Sequence, residues 1–249
     1  MTSGLPSVSE ALIEKTADGS LTLGWDSSHV TYRSRYGAWT EAKHVFLDGT
    51  KALEATAPRI FEFGLGAATN LFATLGAFIE SPALSQLNYT ALECSPLPPE
   101  LFDELVASYP LSDAARRSGR QALASALETE GSTTSEIIPG KTLVLEIVRN
   151  VGLPTLQKES FTSVYFDPFG PKDNPDAWTA SVFGVLADAM TQDARLATYA
   201  AASEPRRLMK AAGLHVARRP GAGGKREMTV ASKSLDGLQD LTIWPKKLR

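Results

Sequence analysis

Cysteine is almost absent: Cys94 is the only thiol in 249 residues. No internal disulfide is possible, so the chain relies on a buried core, and a reducing, cytoplasmic location is the expectation. Histidine is scarce too. His29, His44 and His215 lie far apart without thiol or carboxylate clusters, which argues against a metal site. Neither sign of charge dominates, since 25 Lys+Arg against 28 Asp+Glu leave a net charge of −3. Any contact with nucleic acid must therefore come from a local basic face. The uncharged stretch Phe63 to Ile79 has 17 residues and includes three glycines, an Asn and two Thr, which falls short of a membrane span. The first ten residues are polar and lack the basic and apolar regions of a signal peptide.

What is present suits a globular chain. A hydrophobic share of 43% and a charged share of 21% fit one large domain, or one domain with a small appendage. Ile60-Phe-Glu-Phe-Gly-Leu-Gly-Ala-Ala-Thr-Asn-Leu71 reads as a buried strand, a glycine turn and the start of a helix running to about Ile79. Gly64 and Gly66 let backbone approach a ligand, and the helix start beyond them offers free N–H groups. A dinucleotide fingerprint asks for Gly or Ala where Thr69 stands. Glu62, two residues before the first glycine, is instead the habit of S-adenosylmethionine (SAM) methyltransferases, where a carboxylate can accept from the cofactor's ammonium. The alternative is a plain tight turn.

Residues 11–24 read as a β-hairpin with Asp18-Gly19 as the two positive-φ residues of its turn, and Val45 to Gly49 as a short strand and turn. Residues 1–50 are thus expected to be a β-rich lead-in packed on the main domain, 51–249. Leu87 to Glu93 is the next strand, with Glu93 at its tip placed to take ribose hydroxyls, or else simply solvated. Helices from Pro98 or Pro99 to Ser108 and from Asp113 to Glu128, then a polar loop from Gly131 to Ser135, read as a helical insertion over about 96–140. Strands at Thr142–Val148, Phe161–Asp167 and Arg195–Ala201 follow, with helices at Asp176–Met190 and Ser203–Ala212. Leu214–Val216 and Glu227–Ser232 form a closing pair. The alternation predicts an α/β, Rossmann-like, doubly wound and mainly parallel sheet.

In such a sheet ligands sit beyond the carboxyl ends of the central strands, where Gly64, Gly66, Glu93 and Asp167 all fall. Asp167-Pro168-Phe169 suits methyl transfer to an amine. The carboxylate can accept an N–H, aim the lone pair and take up the proton, while the aromatic ring can stack a base. Otherwise Asp167 caps a turn and Phe169 is core. Arg206, Arg207, Lys210, Arg218, Arg219, Lys225 and Arg226 occupy 205–226 without an acid between them. They read either as phosphate contacts or as a solvated face.

Four segments together resemble the bacterial methyltransferases that finish the 5-methylaminomethyl group on the wobble uridine of tRNA (the MnmC/MnmD type). They are Glu41 to Leu47, Glu62-Phe-Gly-Leu-Gly66 with Asn70, Asp167 to Pro171 through Asn174-Pro175 and Trp178, and Gly223 to Met228. Tyr32-x-Ser34 resembles the family's lead-in. The resemblance spans about residues 30–232 and implies a class I SAM-dependent methyltransferase without metal or flavin. It implies Asp167 near the transferred methyl, Glu62, Gly64, Gly66, Asn70 and Glu93 on the cofactor, and Tyr32, Ser34, Glu41, Pro168, Phe169, Lys225 and Arg226 on the substrate. tRNA is the implied substrate, no membrane is involved, and a separate oxidoreductase acts earlier in the same pathway. Where the family has glycine in the cofactor turn this chain has Ala68, and Arg149, Pro168 and Asp173 also differ. The alternatives are methylation of another amine or small molecule, or SAM or RNA binding without turnover.

Overall fold

The computed structural model describes residues 10–25, 31–149 and 155–244. Strands β1 (Leu12–Lys15) and β2 (Leu21–Gly24) form the expected hairpin. Its turn differs from the prediction. Five residues connect the arms, and of Asp18 and Gly19 only Gly19 has positive φ. Asp18 instead turns its carboxylate inward to accept from Ser20 and from the Thr40 N–H and hydroxyl. Although burial opposes it, these bonds hold the Asp18 carboxyl down at about 2.

The strand expected at Val45 to Gly49 is helical. Helix α1 (Ala38–Glu41) runs into a π-helical stretch, Ala42–Leu47, and a last turn α2 (Asp48–Thr50). The widened turn buries Val45, Phe46 and Leu47 in succession. Three consecutive buried residues read as a strand, so the lead-in is less β-rich than its pattern suggested.

From there the chain alternates as expected: β3 (Arg59–Phe63), α3 (Thr69–Glu80), β4 (Gln86–Leu92), α4 (Pro99–Ala107) and α5 (Asp113–Glu128). Ser112 caps α5 by accepting from Ala115 N–H. The polar stretch predicted as a loop is strand β5 (Ser132–Ile138), hairpinned onto β6 (Lys141–Val148). An edge strand has one row of partners and an open face, so Ser and Thr serve there. Next come β7 (Phe161–Phe166), a 3₁₀ turn at Pro175–Ala177, α6 (Ala180–Ala189) and β8 (Met190–Thr198). Strand β8 starts five residues before the predicted Arg195, directly off the helix. Helix α7 (Ser203–Ala211), with Ala202 at its N-cap, β9 (His215–Arg219), β10 (Met228–Ser232) and β11 (Thr242–Ile243) follow.

Among the described residues nine strands form one sheet in the order β11-β9-β10-β8-β7-β3-β4-β6-β5. The five from β8 to β6 are parallel, and the flanking strands pair antiparallel. Helices α3, α4 and α5 with the Val45–Leu47 stretch bury one face, and α6 and α7 the other. The chain leaves β3 toward β4 and later returns to β3's other side as β7. The crevice beyond that reversal is where such sheets bind ligands.

Candidate active site

Strands β3, β4 and β7 end at Phe63, Leu92 and Phe166, so Gly64, Glu93 and Asp167 are each the next residue. Their N–H groups carry the ladder one step further, to the carbonyls of Leu92, Val148 and Phe63 at 3.0 Å each. Gly64 has φ +93°, and a Cβ there would stand 3.0 Å from the Asp167 carbonyl. Gly66 has φ +49°, and a Cβ would meet the Tyr32 ring at 3.0 Å. Both glycines are required by close approach as well as by φ.

Beneath this edge lies a buried ionic cluster. Glu62 is fully buried. Its Oε1 accepts from Asn70 Nδ2 at 2.7 Å and its Oε2 from the Tyr89 hydroxyl at 2.8 Å. Asn70 Nδ2 also reaches Asp167 Oδ2 at 3.0 Å. Arg33, 4% exposed, ion-pairs with Asp167 and lies 3.8 Å from Glu62. Its guanidinium stands 5.4 Å over the Phe46 ring. Burial pushes both carboxyls up, Glu62 to about 8 and Asp167 to about 7, with Arg33 opposing the shift in each. Asp167 is therefore poised to exchange a proton near neutrality.

Glu93 grips the glycine turn. Its Oε2 accepts from Gly66 N–H and its Oε1 from Ser95 N–H, both at 2.8 Å. Each oxygen keeps a further lone pair for a hydroxyl. The Tyr109 hydroxyl binds the Ala67 carbonyl and lies 2.9 Å from Thr69 Oγ1, fixing the turn from the other side. The Asn70 Oδ1 acceptor is buried without a hydrogen-bond partner. An unpaired buried acceptor beside two glycines suits a ligand with an amino-acid tail, so these residues fit SAM.

Residues 121–234 match the family described as S-adenosyl-L-methionine-dependent methyltransferase (Methyltransf_30). The tRNA 5-methylaminomethyl-2-thiouridine biosynthesis bifunctional protein MnmC of Cupriavidus necator is 34% identical over 218 residues, 81% of this chain. The protein of that name from Ralstonia nicotianae is 30% identical over 236 residues, 87% of this chain. Over most of its length the chain is similar to S-adenosyl-L-methionine-dependent methyltransferases. It spans about a third of the length of these curated relatives, 31% and 34%. The MnmC2 structure from Aquifex aeolicus superposes with a TM-score of 0.71 at 23% identity, over 90% of this chain and 70% of that one. Spermidine synthase from Thermotoga maritima shares the fold at a TM-score of 0.53 and 13% identity, over 93% of this chain and 72% of that one.

Several expected site residues converge around the crevice. Glu41, buried, accepts from Lys225 Nζ at 2.6 Å, and Lys225 lies 5.4 Å from the Tyr199 ring centre. The Tyr199 hydroxyl donates to the Pro168 carbonyl at 2.8 Å, and Trp178 Nε1 to the Phe169 carbonyl at 2.8 Å, pinning the loop after Asp167. The Phe169 ring meets Tyr32 edge-on at 5.0 Å, and Tyr32 stacks on Trp25 at 5.6 Å. Tyr32 thereby covers Gly66, on the glycine-turn side of the crevice. Ser34 is a turn residue whose Oγ accepts from Tyr36 N–H at 3.3 Å, and Arg226 is exposed.

The basic face expected over 205–226 is in part tied up within the fold. Arg206 and Arg218 both pair with Glu227 at 3.1 Å, and Arg219 donates to the His44 carbonyl. Glu227 stands one residue beyond the acid-free window. Arg33, Tyr89, Tyr109 and Tyr199 were not singled out by sequence reasoning. Arg33 is the unassigned middle residue of Tyr32-x-Ser34, and no periodicity marks it. Among the described residues no group of His, Cys, Asp and Glu is placed to hold a metal, and no helix is long and apolar enough to cross a membrane.

Proposed function

We propose that this chain is the methylating unit for the 5-aminomethyl group of a wobble uridine in tRNA, producing the 5-methylaminomethyl form. The observation that carries the reading is Asp167: a buried carboxylate at the β7 tip, beside Gly64, in the segment resembling the tRNA-modifying relatives. SAM supplies a methyl group on a sulfonium that departs from sulfur when a lone pair attacks. Glu93 and the Gly64–Gly66 turn would hold its nucleoside, and Asn70 Oδ1 its ammonium. Glu62 acts here through Asn70, since it is fully buried and its Oε1 accepts from Asn70 Nδ2. Asp167 accepts an N–H from the amine, aims the lone pair and takes the proton released when the nitrogen becomes a secondary ammonium. Phe169 and Tyr32 offer an aromatic corner against which a base can stack.

In this reading residues 51–249 form the methyltransferase unit, and the segment before residue 51 closes its site with Arg33 and Glu41. A separate oxidoreductase supplies the aminomethyl group earlier in the pathway, and the setting is cytoplasmic. The test is incubation with SAM and tRNA bearing 5-aminomethyluridine, followed by nucleoside mass spectrometry. The 5-methylaminomethyl nucleoside is expected. Tight SAM binding without any methylated nucleoside would refute the substrate assignment.

A further inference from the structure

Within the cluster, three carboxylates (Glu41, Glu62 and Asp167) face two cations, Arg33 and Lys225. Lys225 is held by Glu41 at 2.6 Å, which leaves Arg33 as the cation serving both Glu62 and Asp167. Its side chain is 3% exposed and its guanidinium lies over Phe46. Its own N–H is anchored to Thr22 Oγ1 at 3.0 Å. The guanidinium is built into the site. We propose that Arg33 is a positioning residue that makes this site select its amine in the uncharged form and keeps Asp167 ready to accept a proton.

The inference rests on the amine-methylation reading and deepens it. An ammonium group has no lone pair, so an amine that binds protonated is inert. An acidic pocket by itself would stabilise that inert form, because carboxylates attract ammonium. A fixed guanidinium on the same carboxylate reverses the preference. Like charges close together in a low-dielectric pocket lower the proton affinity of the newcomer, the same device that activates lysine nucleophiles beside a second cation. The groups facing Asp167 are Arg33, Asn70, Glu62, Glu41, Lys225 and the Tyr199 phenol. Of these Arg33 is the one in ion contact with it. The balance is simple: a neutral amine gains a carbon, becomes a secondary ammonium and gives one proton to the Asp167 carboxylate.

The experiment measures kcat against pH with saturating SAM and tRNA bearing 5-aminomethyluridine, for wild type, Arg33→Lys, Arg33→Gln and the double variant Arg33→Gln/Glu62→Gln. The double variant replaces Glu62 by its neutral amide isostere, so that no second buried carboxyl is left without the cation beside Asp167. In both Gln variants the acid limb should move to higher pH by about one unit or more, the shift a single close charge produces. Arg33→Lys should keep the limb near its wild-type position at a lower plateau. A purely structural role for Arg33 would lower the rate equally at every pH, and that result overturns the proposal. A second measurement needs no turnover: ¹³C NMR titration of the Asp167 carboxyl in SAM-free protein, assigned by its loss in Asp167→Asn. It should titrate about one unit higher without Arg33. An unchanged titration overturns the role of Arg33, whereas absence of methylation by wild type alone overturns the substrate reading instead.

Discussion

At the scale of single residues, Asp167 and Glu62 share a pocket but have different consequences. Asp167→Asn keeps size and a hydrogen-bond acceptor while losing the base. SAM affinity measured by calorimetry should persist while turnover falls by roughly 10²–10⁴-fold. Wild-type turnover should rise with pH through about 7, where the Asp167 carboxyl titrates, and high pH should partly rescue the variant. A variant with wild-type turnover would return Asp167 to the status of a turn residue. Glu62 bears on stability. Its folded value of about 8 lies above the ordinary 4.5, so the folded state holds a proton that the unfolded state has released. Stability from this group is full at low pH and is withdrawn as pH rises toward 8, by at most ~1.4 kcal/mol per pH unit for one proton. Glu62→Gln should therefore flatten the pH dependence of urea unfolding between about pH 4.5 and 8, the ordinary and the folded values of this carboxyl. An unchanged slope would mean that Glu62 stays ionised.

At the scale of elements, the strand–turn–helix unit from β3 to α3 stands out in the sequence because its requirements are local. Glycine at positive φ, an apolar strand and an apolar helix are all written within 59–80. Gly64→Ala tests it. The new Cβ would meet backbone, the Asp167 carbonyl at 3.0 Å, in a conformation unfavourable for L residues. A loss of about 1–3 kcal/mol in denaturant unfolding and a marked drop in SAM affinity are expected. Elements whose conformation depends on neighbours were misread. Val45 to Leu47 has the pattern of a strand and becomes a widened helix because α3 and the sheet bury it from more than one side. Ser132 to Ile138 has the composition of a loop and becomes a strand because β6 offers it a free edge.

At the scale of the whole molecule, the charges divide into those that hold the fold together and those left exposed. Arg206 is buried against Glu227 and Thr229. Arg206→Met should cost ~3 kcal/mol, the low end for breaking a buried pair, because Arg218 still neutralises Glu227. Thermal unfolding measures this. Lys210 and Arg226 are exposed, and neutralising either should reduce the salt slope of tRNA binding by roughly 0.9 while leaving Tm unchanged. Equal slopes in wild type and both variants would remove this face from the RNA interface.

The sequence by itself determined the α/β alternation, the glycine turn and the three strand tips that carry Gly64, Glu93 and Asp167. Periodicity and backbone conformation are short-range properties, readable within one segment. Only the tertiary structure decided which charges meet. Arg33 reaches Asp167 across more than a hundred residues, and Lys225 reaches Glu41 from nearly the far end of the chain. An ion pair depends on where the fold brings two side chains and how much water it excludes. Neither is encoded in the spacing of residues, so the buried arginine at the centre of the site had no signature until the sheet and the lead-in were packed together.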